Sequence, residues 1–238
     1  MASSSSSGPV ARKRINGKVI VAGAANTGKT CLIERFVRNV FIADDPSHGP
    51  TLGCDCLQKS VFVDDTEVYL FLYDTAGQER FADMAASYYR CGDVCLLVFD
   101  LANLASFDHI KWWQKKVCEY NPRCSFVLVG CKEDLIAEQV DNGSSGNERF
   151  GIMSRWAESA GMPFFTTSAK RGGSQIQFLF YSVAEKCIRQ TREKQLQQEE
   201  ALKSSQDRDG DGRILSAFGN PQLDAEDMRA NCSGCLSS

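Results

Sequence analysis

The chain has 238 residues, 43% of them hydrophobic, and a formal net charge of −3. This length suits one domain with an ordinary core and short extensions. The slightly acidic balance gives no electrostatic indication of nucleic-acid binding, and no stretch approaches the roughly 18 apolar residues of a membrane-spanning helix. Residues 1–14 are rich in serine, lack the apolar segment of a secretory signal and are predicted to be a disordered leader.

The first predicted elements enclose a glycine-rich loop. Lys18–Ala22 is predicted as a buried strand and Cys31–Val37 as an amphipathic helix. Between them, residues 23–30 read Gly-Ala-Ala-Asn-Thr-Gly-Lys-Thr and fit the phosphate-loop pattern G-x-x-x-x-G-K-[S/T]. The glycines let backbone N–H groups turn toward a phosphate chain, the lysine adds positive charge, and the last threonine can ligate Mg²⁺. The predicted phosphate-binding residues here are Gly23, Asn26, Thr27, Gly28, Lys29, Thr30 and Cys31.

The rest of the chain alternates between predicted strands and helices. After an irregular stretch, residues 42–51, Leu57–Val63 and Glu67–Tyr73 are predicted to form a hairpin, so one strand runs antiparallel. Further strands are predicted at Asp93–Phe99, Ser125–Gly130 and Pro163–Thr167, and helices at Ser106–Glu119, Glu148–Ser159 and Ile176–Gln190. This alternation predicts a three-layer α/β fold, with a mostly parallel six-stranded sheet, one antiparallel strand and helices on both faces. Ligands of such sheets bind beyond the carboxyl ends of the strands, where the phosphate loop falls.

Two segments are predicted to be irregular. Asp141–Asn147 is a polar loop, and the chain from about Lys203 onward is rich in Ser, Asp and Gly, which is typical of a linker. Residues 207–218 imitate a calcium-binding loop, but position twelve is Phe218 rather than glutamate, so we interpret this stretch as an acidic linker. The eleven cysteines are scattered among only two histidines, and no second cysteine pair has zinc spacing, which disfavours a zinc site at residues 54–56.

A second motif, residues 74–80, reads Asp-Thr-Ala-Gly-Gln-Glu-Arg and follows a predicted strand. An acid at a strand end can hold Mg²⁺, Gly77 can bring its N–H close to a γ-phosphate because it has no Cβ, and Gln78 can orient an attacking water. With this motif the chain resembles the small GTPases of the Ras superfamily, in particular the Rab family. The resemblance covers about residues 15–190, and its other segments are Leu52–Cys56, Arg80–Arg90, Ser106–Phe107, Trp112–Trp113 and Thr167–Lys170.

The resemblance implies GTP and GDP as ligands, Mg²⁺ as cofactor and a P-loop NTPase G domain as the fold. Ala25 is the third position of the phosphate-loop pattern that begins at Gly23. Its Cβ can crowd an arginine finger or the attacking water, so we expect slow hydrolysis that a partner accelerates. The implied residues are Thr30, Thr51 and Asp74 for magnesium, Thr51 and Gly77 for the γ-phosphate, and Gln78, Gly77 and Lys29 for catalysis.

The resemblance also implies a guanine site. Asp134 is expected to accept hydrogen bonds from the guanine N1 and N2 groups, which adenine does not offer. Cys131 departs from the asparagine of the family and is a weak donor and acceptor. We therefore expect roughly five- to tenfold weaker nucleotide binding, from the loss of about one hydrogen bond. The implied guanine-binding residues are Phe41, Cys131, Lys132, Asp134, Ser168, Ala169 and Lys170.

The resemblance divides the chain into the leader, a G domain over residues 15–200 and a disordered hypervariable tail over residues 201–238. Cys232 and Cys235 near the end of the tail are expected to carry lipids, prenyl or palmitoyl. Residues 203–238 hold four basic and six acidic side chains, so the tail offers no basic patch to an acidic membrane.

The implied function is a GTP switch that recruits effector proteins in vesicle traffic, on the cytoplasmic face of internal membranes and cycling with the cytosol. An exchange factor, a GTPase-activating protein and effectors are expected to bind residues 44–56 and 77–90, with apolar groups near Leu52, Phe62 and Tyr73 exposed to effectors. Prenyl-escort and extraction proteins are expected at the tail. The alternative is a scaffold that binds nucleotide weakly, hydrolyses it poorly and uses the fold as a binding module.

Overall fold

Six strands form one sheet in the computed structural model, which describes residues 12–42, 49, 51, 53–77, 82, 85–137 and 145–206. The strands are β1 (Lys13–Ala22), β2 (Cys54–Val63), β3 (Thr66–Thr75), β4 (Val94–Asp100), β5 (Ser125–Cys131) and β6 (Phe164–Thr166). Their order is β2-β3-β1-β4-β5-β6, and each neighbouring pair is parallel except β2 with β3. The predicted fold class is confirmed.

The described ranges also contain seven helices: α1 (Lys29–Arg38), α2 (Ala86–Cys91), α3 (Ala105–Asp108), α4 (Ile110–Tyr120), α5 (Glu133–Ala137), α6 (Ser145–Ser159) and α7 (Ser174–Gln206). The chain divides into two compact units, residues 1–195 and residues 196–238. The described part of the second unit, residues 196–206, is helical. None of the described helices combines the length and the apolar character that crossing a membrane requires.

Several element boundaries differ from the predictions. β1 begins at Lys13, inside the predicted leader, and α6 begins at Ser145, inside the predicted polar loop. The helix predicted over Ser106–Glu119 is two helices, because α3 ends at Asp108 and α4 begins at Ile110. The leader and the polar loop were predicted from composition. Element boundaries depend on local hydrogen bonds, which neither composition nor periodicity reports.

The last helix is longer than predicted and continues to Gln206 instead of ending at Gln190. Residues 191–206 contain neither Gly nor Pro and are rich in Gln, Glu, Lys and Leu, which favour helix. The linker predicted from about Lys203, and the tail predicted from residue 201, therefore begin with helical residues. Polar composition alone did not predict this extension, because a helix exposed to solvent can be as polar as a linker.

The sheet is buried on both faces by helices. In β4 every side chain is buried, and successive side chains enter different cores. Val94, Leu96 and Val98 belong to the core formed with α1 and α7, whereas the neighbouring side chains belong to the core formed with α2, α4 and α6. This follows from the two-residue period of a strand: a sheet covered on both faces needs apolar residues at every position.

Strand pairing brings the two sequence motifs to one edge of the sheet. β1 lies between β3 and β4, and Val21, next to its end, pairs with Asp74 of β3. On the other side, Asp100 at the end of β4 pairs with Cys131 at the end of β5. The phosphate loop, the Asp74 motif and the loop after β5 therefore meet at the carboxyl ends of neighbouring parallel strands.

Candidate functional site

The glycine-rich loop between β1 and α1 turns at three residues with positive φ, Gly23 (149°), Asn26 (61°) and Gly28 (94°). A Cβ on Gly23 would overlap the carbonyl oxygen of Val98 in β4, so the loop lies directly on the sheet. Gly28 is the N-cap of α1 in the left-handed conformation. Both pattern glycines are thus required by the backbone, and α1 points its N-terminus, which favours anions, at the loop.

Two side chains within the loop brace its backbone. The buried Lys29 ammonium donates to the carbonyl oxygens of Gly23 and Ala24, at 2.9 and 2.8 Å. The buried Thr27 hydroxyl donates to the same Ala24 oxygen at 3.0 Å. The Lys29 charge therefore lies inside the curve of the loop, where the phosphates of a nucleotide are expected, while the side chain of Thr27 has a structural role.

Thr30, Thr51 and Asp74 meet next to this loop. The Thr30 hydroxyl donates to Asp74 Oδ2 at 2.6 Å and lies 3.0 Å from the Thr51 hydroxyl. Since the single proton of Thr30 is used on Asp74, Thr51 is the donor to Thr30. Residues that are 44 positions apart in sequence are brought together as the resemblance implied.

The chemistry of this trio fits a magnesium ion. Asp74 is 2% exposed, and its Oδ1 has no hydrogen-bond partner among the described residues. Burial raises the pKa of the Asp74 carboxyl, and the Thr30 hydrogen bond and the Lys29 charge oppose the rise. One carboxylate and two hydroxyls are oxygen ligands of the kind that Mg²⁺ prefers. No group of three or more His, Cys, Asp and Glu side chains within the described ranges could hold a metal ion.

Gly77 lies against the phosphate loop. A Cβ at this position would be 2.7 Å from the carbonyl oxygen of Ala24 and would also overlap the Lys29 ammonium. Only glycine allows the segment after β3 to approach this closely, which matches the reason for expecting its N–H near a γ-phosphate. Gln78 follows directly but lies outside the described residues.

A pocket of about 240 Å³ opens beside the phosphate loop. Its walls come from α1 and the segment that follows it, the end of β5, α5 and the loop after β6. Its lining residues are Gly28, Cys31, Phe41, Cys131, Lys132, Asp134, Leu135, Ala169 and Lys170. Six of the seven residues predicted to bind guanine line this pocket, and Ser168 does not. Cys31, predicted at the phosphates, also lines it.

The polar groups of the pocket are held by hydrogen bonds with the loop after β6 and with the end of β4. Asp134 is buried and accepts from the Ser168 hydroxyl at 2.6 Å. Lys132 has a positive φ of 63°, and its ammonium donates to Asp100 Oδ2 at 2.8 Å. Sequence reasoning missed Asp100, although an acid at the carboxyl end of a buried strand was a signal available in the sequence.

Cys131 occupies a buried position in the wall of this pocket. It is 2% exposed, and its sulfur lies 3.6 Å from the Thr167 hydroxyl. A Cβ on Gly28 would lie 3.6 Å from the Cys131 Cβ, so the thiol packs between the phosphate loop and the loop after β6. Burial raises the pKa of the Cys131 thiol to about 12, which keeps it protonated near neutral pH. The connection between these loops is therefore made by a weakly polar group.

One predicted surface feature is wrong, because Tyr73 is buried rather than exposed to effectors. Its ring lies 5.0 Å from that of Tyr88 in α2, centroid to centroid, which accounts for its burial. Phe62, in contrast, is 50% exposed as expected. Other predictions lie outside the described residues. They concern residues 1–11, 44–48, 50, 52, 78–81 (with Gln78), 83–84, 141–144 and 207–238 (with Cys232 and Cys235).

The comparisons with known proteins agree with this geometry. Residues 18–189 match the sequence profile of the Ras family. The chain is 35% identical to the Ras-related protein Rab-37 of Mus musculus over 171 residues, which is 71% of this chain and 72% of the relative. It is 37% identical to the Ypt/Rab-type GTPase ypt7 of Pyricularia oryzae over 164 residues, 67% of this chain and 76% of the relative. It is 32% identical to Rab-7b of Bos taurus over 170 residues, 70% of this chain and 80% of the relative. The phosphate loop, the Asp74 motif and the pocket at Asp134 thus belong to a divergent Rab-type small GTPase, a member of the Ras family.

Proposed function

We propose that this GTPase works as a magnesium-dependent GTP switch in intracellular membrane traffic. The observation that carries the proposal is the convergence of Lys29, Thr30, Thr51 and Asp74 beside a pocket that contains Asp134. Such a switch requires a phosphate loop, a cluster of oxygen ligands for the metal ion and an acid that recognises guanine. All three lie at one edge of the sheet.

Thr30, Thr51 and Asp74 are the proposed magnesium ligands, directly or through water. When bound, the ion would neutralise negative charge that develops on the phosphates. The unpaired Oδ1 of Asp74 supports this role, because a buried carboxylate oxygen without a partner is costly unless a cation or water satisfies it. Thr51 lies within residues 44–56, so its contact with Thr30 links that segment to the nucleotide site.

Guanine selection is proposed to rest on Asp134. Its carboxylate can accept two donors from the edge of guanine, whereas adenine presents an acceptor at N1 and no amine at C2. The Ser168 hydroxyl orients Asp134, and the bond from Lys132 to Asp100 fixes Lys132 at the pocket wall. Phe41 and Ala169 supply apolar contact for the base.

Hydrolysis is proposed to use water oriented by Gln78, with Gly77 and Lys29 stabilising the charge on the γ-phosphate. The close approach of Gly77 to Lys29 and Ala24 supports these two assignments. The reaction breaks the bond between the β- and γ-phosphates and consumes one water. Release of phosphate then removes the group that holds residues 44–56 and 77–90 in their GTP-bound arrangement.

The proposal extends to regulators and to the membrane. Effectors, an exchange factor and a GTPase-activating protein are proposed to bind these two switch segments. Lipids on Cys232 and Cys235, delivered by prenyl-escort proteins, are proposed to attach the protein to the cytoplasmic face of internal membranes. The names of the Rab and Ypt relatives support a trafficking role.

Competition between nucleotides tests the proposal. We expect GTP and GDP to displace a fluorescent guanine nucleotide in the presence of Mg²⁺, and ATP to fail at the same concentrations. Asp134→Asn should lose much of the discrimination between GTP and ATP, and the exposed control Asp108→Asn should retain it. Equal potency of GTP and ATP on the wild-type protein would refute guanine selection.

A further inference from the structure

Arg35 connects two walls of the guanine pocket without lining it. It lies in the last two turns of α1 and is half-buried. Its Nε donates to the carbonyl oxygen of Ala169 at 2.6 Å, and its Nη2 donates to that of Lys170 at 3.3 Å. Both acceptors belong to the loop after β6, and both of these residues line the pocket.

The same side chain also reaches the chain that leads to Phe41. Arg35 Nη1 donates to the carbonyl oxygen of Asn39 at 2.9 Å and lies 3.4 Å from its side-chain oxygen. Asn39 is the left-handed C-cap of α1, and its N–H bonds back to the Arg35 carbonyl at 3.1 Å. Phe41, two residues later, forms another wall of the pocket.

The loop after β6 is shaped to receive a guanidinium. Gly172 has a φ of 67°, and a Cβ there would lie 3.3 Å from Arg35 Cδ. The Gly172 N–H closes the turn by donating to the Ser168 carbonyl at 2.8 Å. A planar guanidinium has five donors in a fixed fork and can serve three carbonyls at once, which the single ammonium of lysine cannot do in the same directions.

We propose that Arg35 is a positioning residue for the guanine base, and that it holds the 168–170 wall and the Phe41 wall in register with each other. This inference rests on the proposed function, because it assumes that guanine occupies the pocket. The proposal implies that the segment 39–41 and the loop after β6 are coupled. Displacement of residues 39–41 breaks hydrogen bonds of Arg35, and the same side chain holds Ala169 and Lys170 in place. Movement of residues 39–41, which lead into the switch segment 44–56, thereby loosens the base.

The dissociation rate of a fluorescent GDP from the full-length protein tests the proposal. Arg35→Met keeps the apolar stem and removes the donors, and we expect roughly tenfold faster dissociation, from the loss of two or more hydrogen bonds of ordinary strength. Arg35→Lys should give a smaller increase. Arg14→Met is the matched control, because Arg14 is an exposed arginine that pairs with Glu67 in the sheet, and it should dissociate at the wild-type rate.

A second readout separates positioning from general destabilisation. IDP lacks the 2-amino group that Asp134 is proposed to recognise, so the ratio of GDP to IDP affinity reports the fit of the base edge. We expect this ratio to fall in Arg35→Met, while the factor by which Mg²⁺ removal accelerates dissociation stays at its wild-type value. An unchanged rate, or a faster rate with an unchanged GDP to IDP ratio, would overturn the inference. Failure of the wild-type protein to bind GDP would instead overturn the proposed function.

Discussion

At the scale of single residues, Cys131 stands where the family resemblance implies an asparagine. The buried thiol lies between Gly28 and Thr167 and makes one long contact with a hydroxyl. An amide at this position has two donors and an acceptor for the same neighbours. The side chain at position 131 therefore determines how many hydrogen bonds connect the phosphate loop to the loop after β6.

We predict that Cys131→Asn slows GDP dissociation by roughly fivefold, because one added hydrogen bond is worth about 1 kcal/mol. Stopped-flow measurement of a fluorescent GDP gives the rate. Cys131→Ala is the matched control, since it removes the thiol without adding a donor, and it should not slow dissociation. If the asparagine variant releases GDP at the wild-type rate or faster, another group or a water already joins the two loops.

Gln78 permits a second test at this scale. Unassisted enzymes of this kind hydrolyse GTP at roughly 10⁻⁴ s⁻¹, and an arginine supplied by a partner adds about 10³–10⁵. We predict a slow intrinsic rate that Gln78→Leu lowers further, because leucine cannot orient water. Single-turnover assays give the rate, and Gln177→Leu, an exposed position in α7, is the control. If Gln78→Leu leaves the rate of GTP hydrolysis unchanged, Gln78 does not orient the attacking water.

At the scale of elements, the close packing of α7 on β1 supports the sheet beneath the site. Gly17 in β1 faces Cys187 in α7, and a Cβ on Gly17 would lie 2.7 Å from the Cys187 sulfur and 3.1 Å from Leu70. Cys187 is completely buried, so it has no room to move away. The helix approaches the strand this closely because glycine leaves space for it.

We predict that Gly17→Ala lowers the free energy of unfolding by about 1–3 kcal/mol, which is typical of an overpacked core. Urea unfolding at a fixed GDP concentration gives the value, because bound nucleotide itself stabilises the folded state. Gly151→Ala in α6 is the control: its Cβ would have ordinary contacts with Arg155, and alanine favours helix by about 0.5–1 kcal/mol. A Gly17→Ala protein as stable as the wild type would mean that α7 shifts at little cost.

At the scale of the whole molecule, the proposed membrane attachment depends on the end of the chain. A single prenyl or myristoyl chain gives reversible binding, and stable anchoring takes two signals. The usual second signal is a basic patch, but residues 203–238 carry more acidic than basic side chains. A second lipid is then the remaining signal that the tail itself offers.

We predict that stable attachment needs both Cys232 and Cys235. Each single Cys→Ser variant should move largely to the soluble fraction when cells are fractionated. Cys91→Ser, an exposed thiol at the end of α2, is the control and should remain with membranes. A Cys232→Ser protein that stays fully on membranes would show that one lipid on Cys235 is enough.

The sequence by itself determined the fold class, the family and the two motifs of the site. These are properties of short stretches. Residues 23–30 and 74–80 each contain their binding chemistry within eight positions, and short continuous apolar runs identify the strands that are buried on both faces of the sheet. Tertiary structure decided which side chains meet. Arg35 bonds to Ala169 across 134 positions, Lys132 reaches Asp100 across 32, and Tyr73 is buried by Tyr88. No local pattern encodes such contacts, because they depend on strand order and on how closely helices approach the sheet.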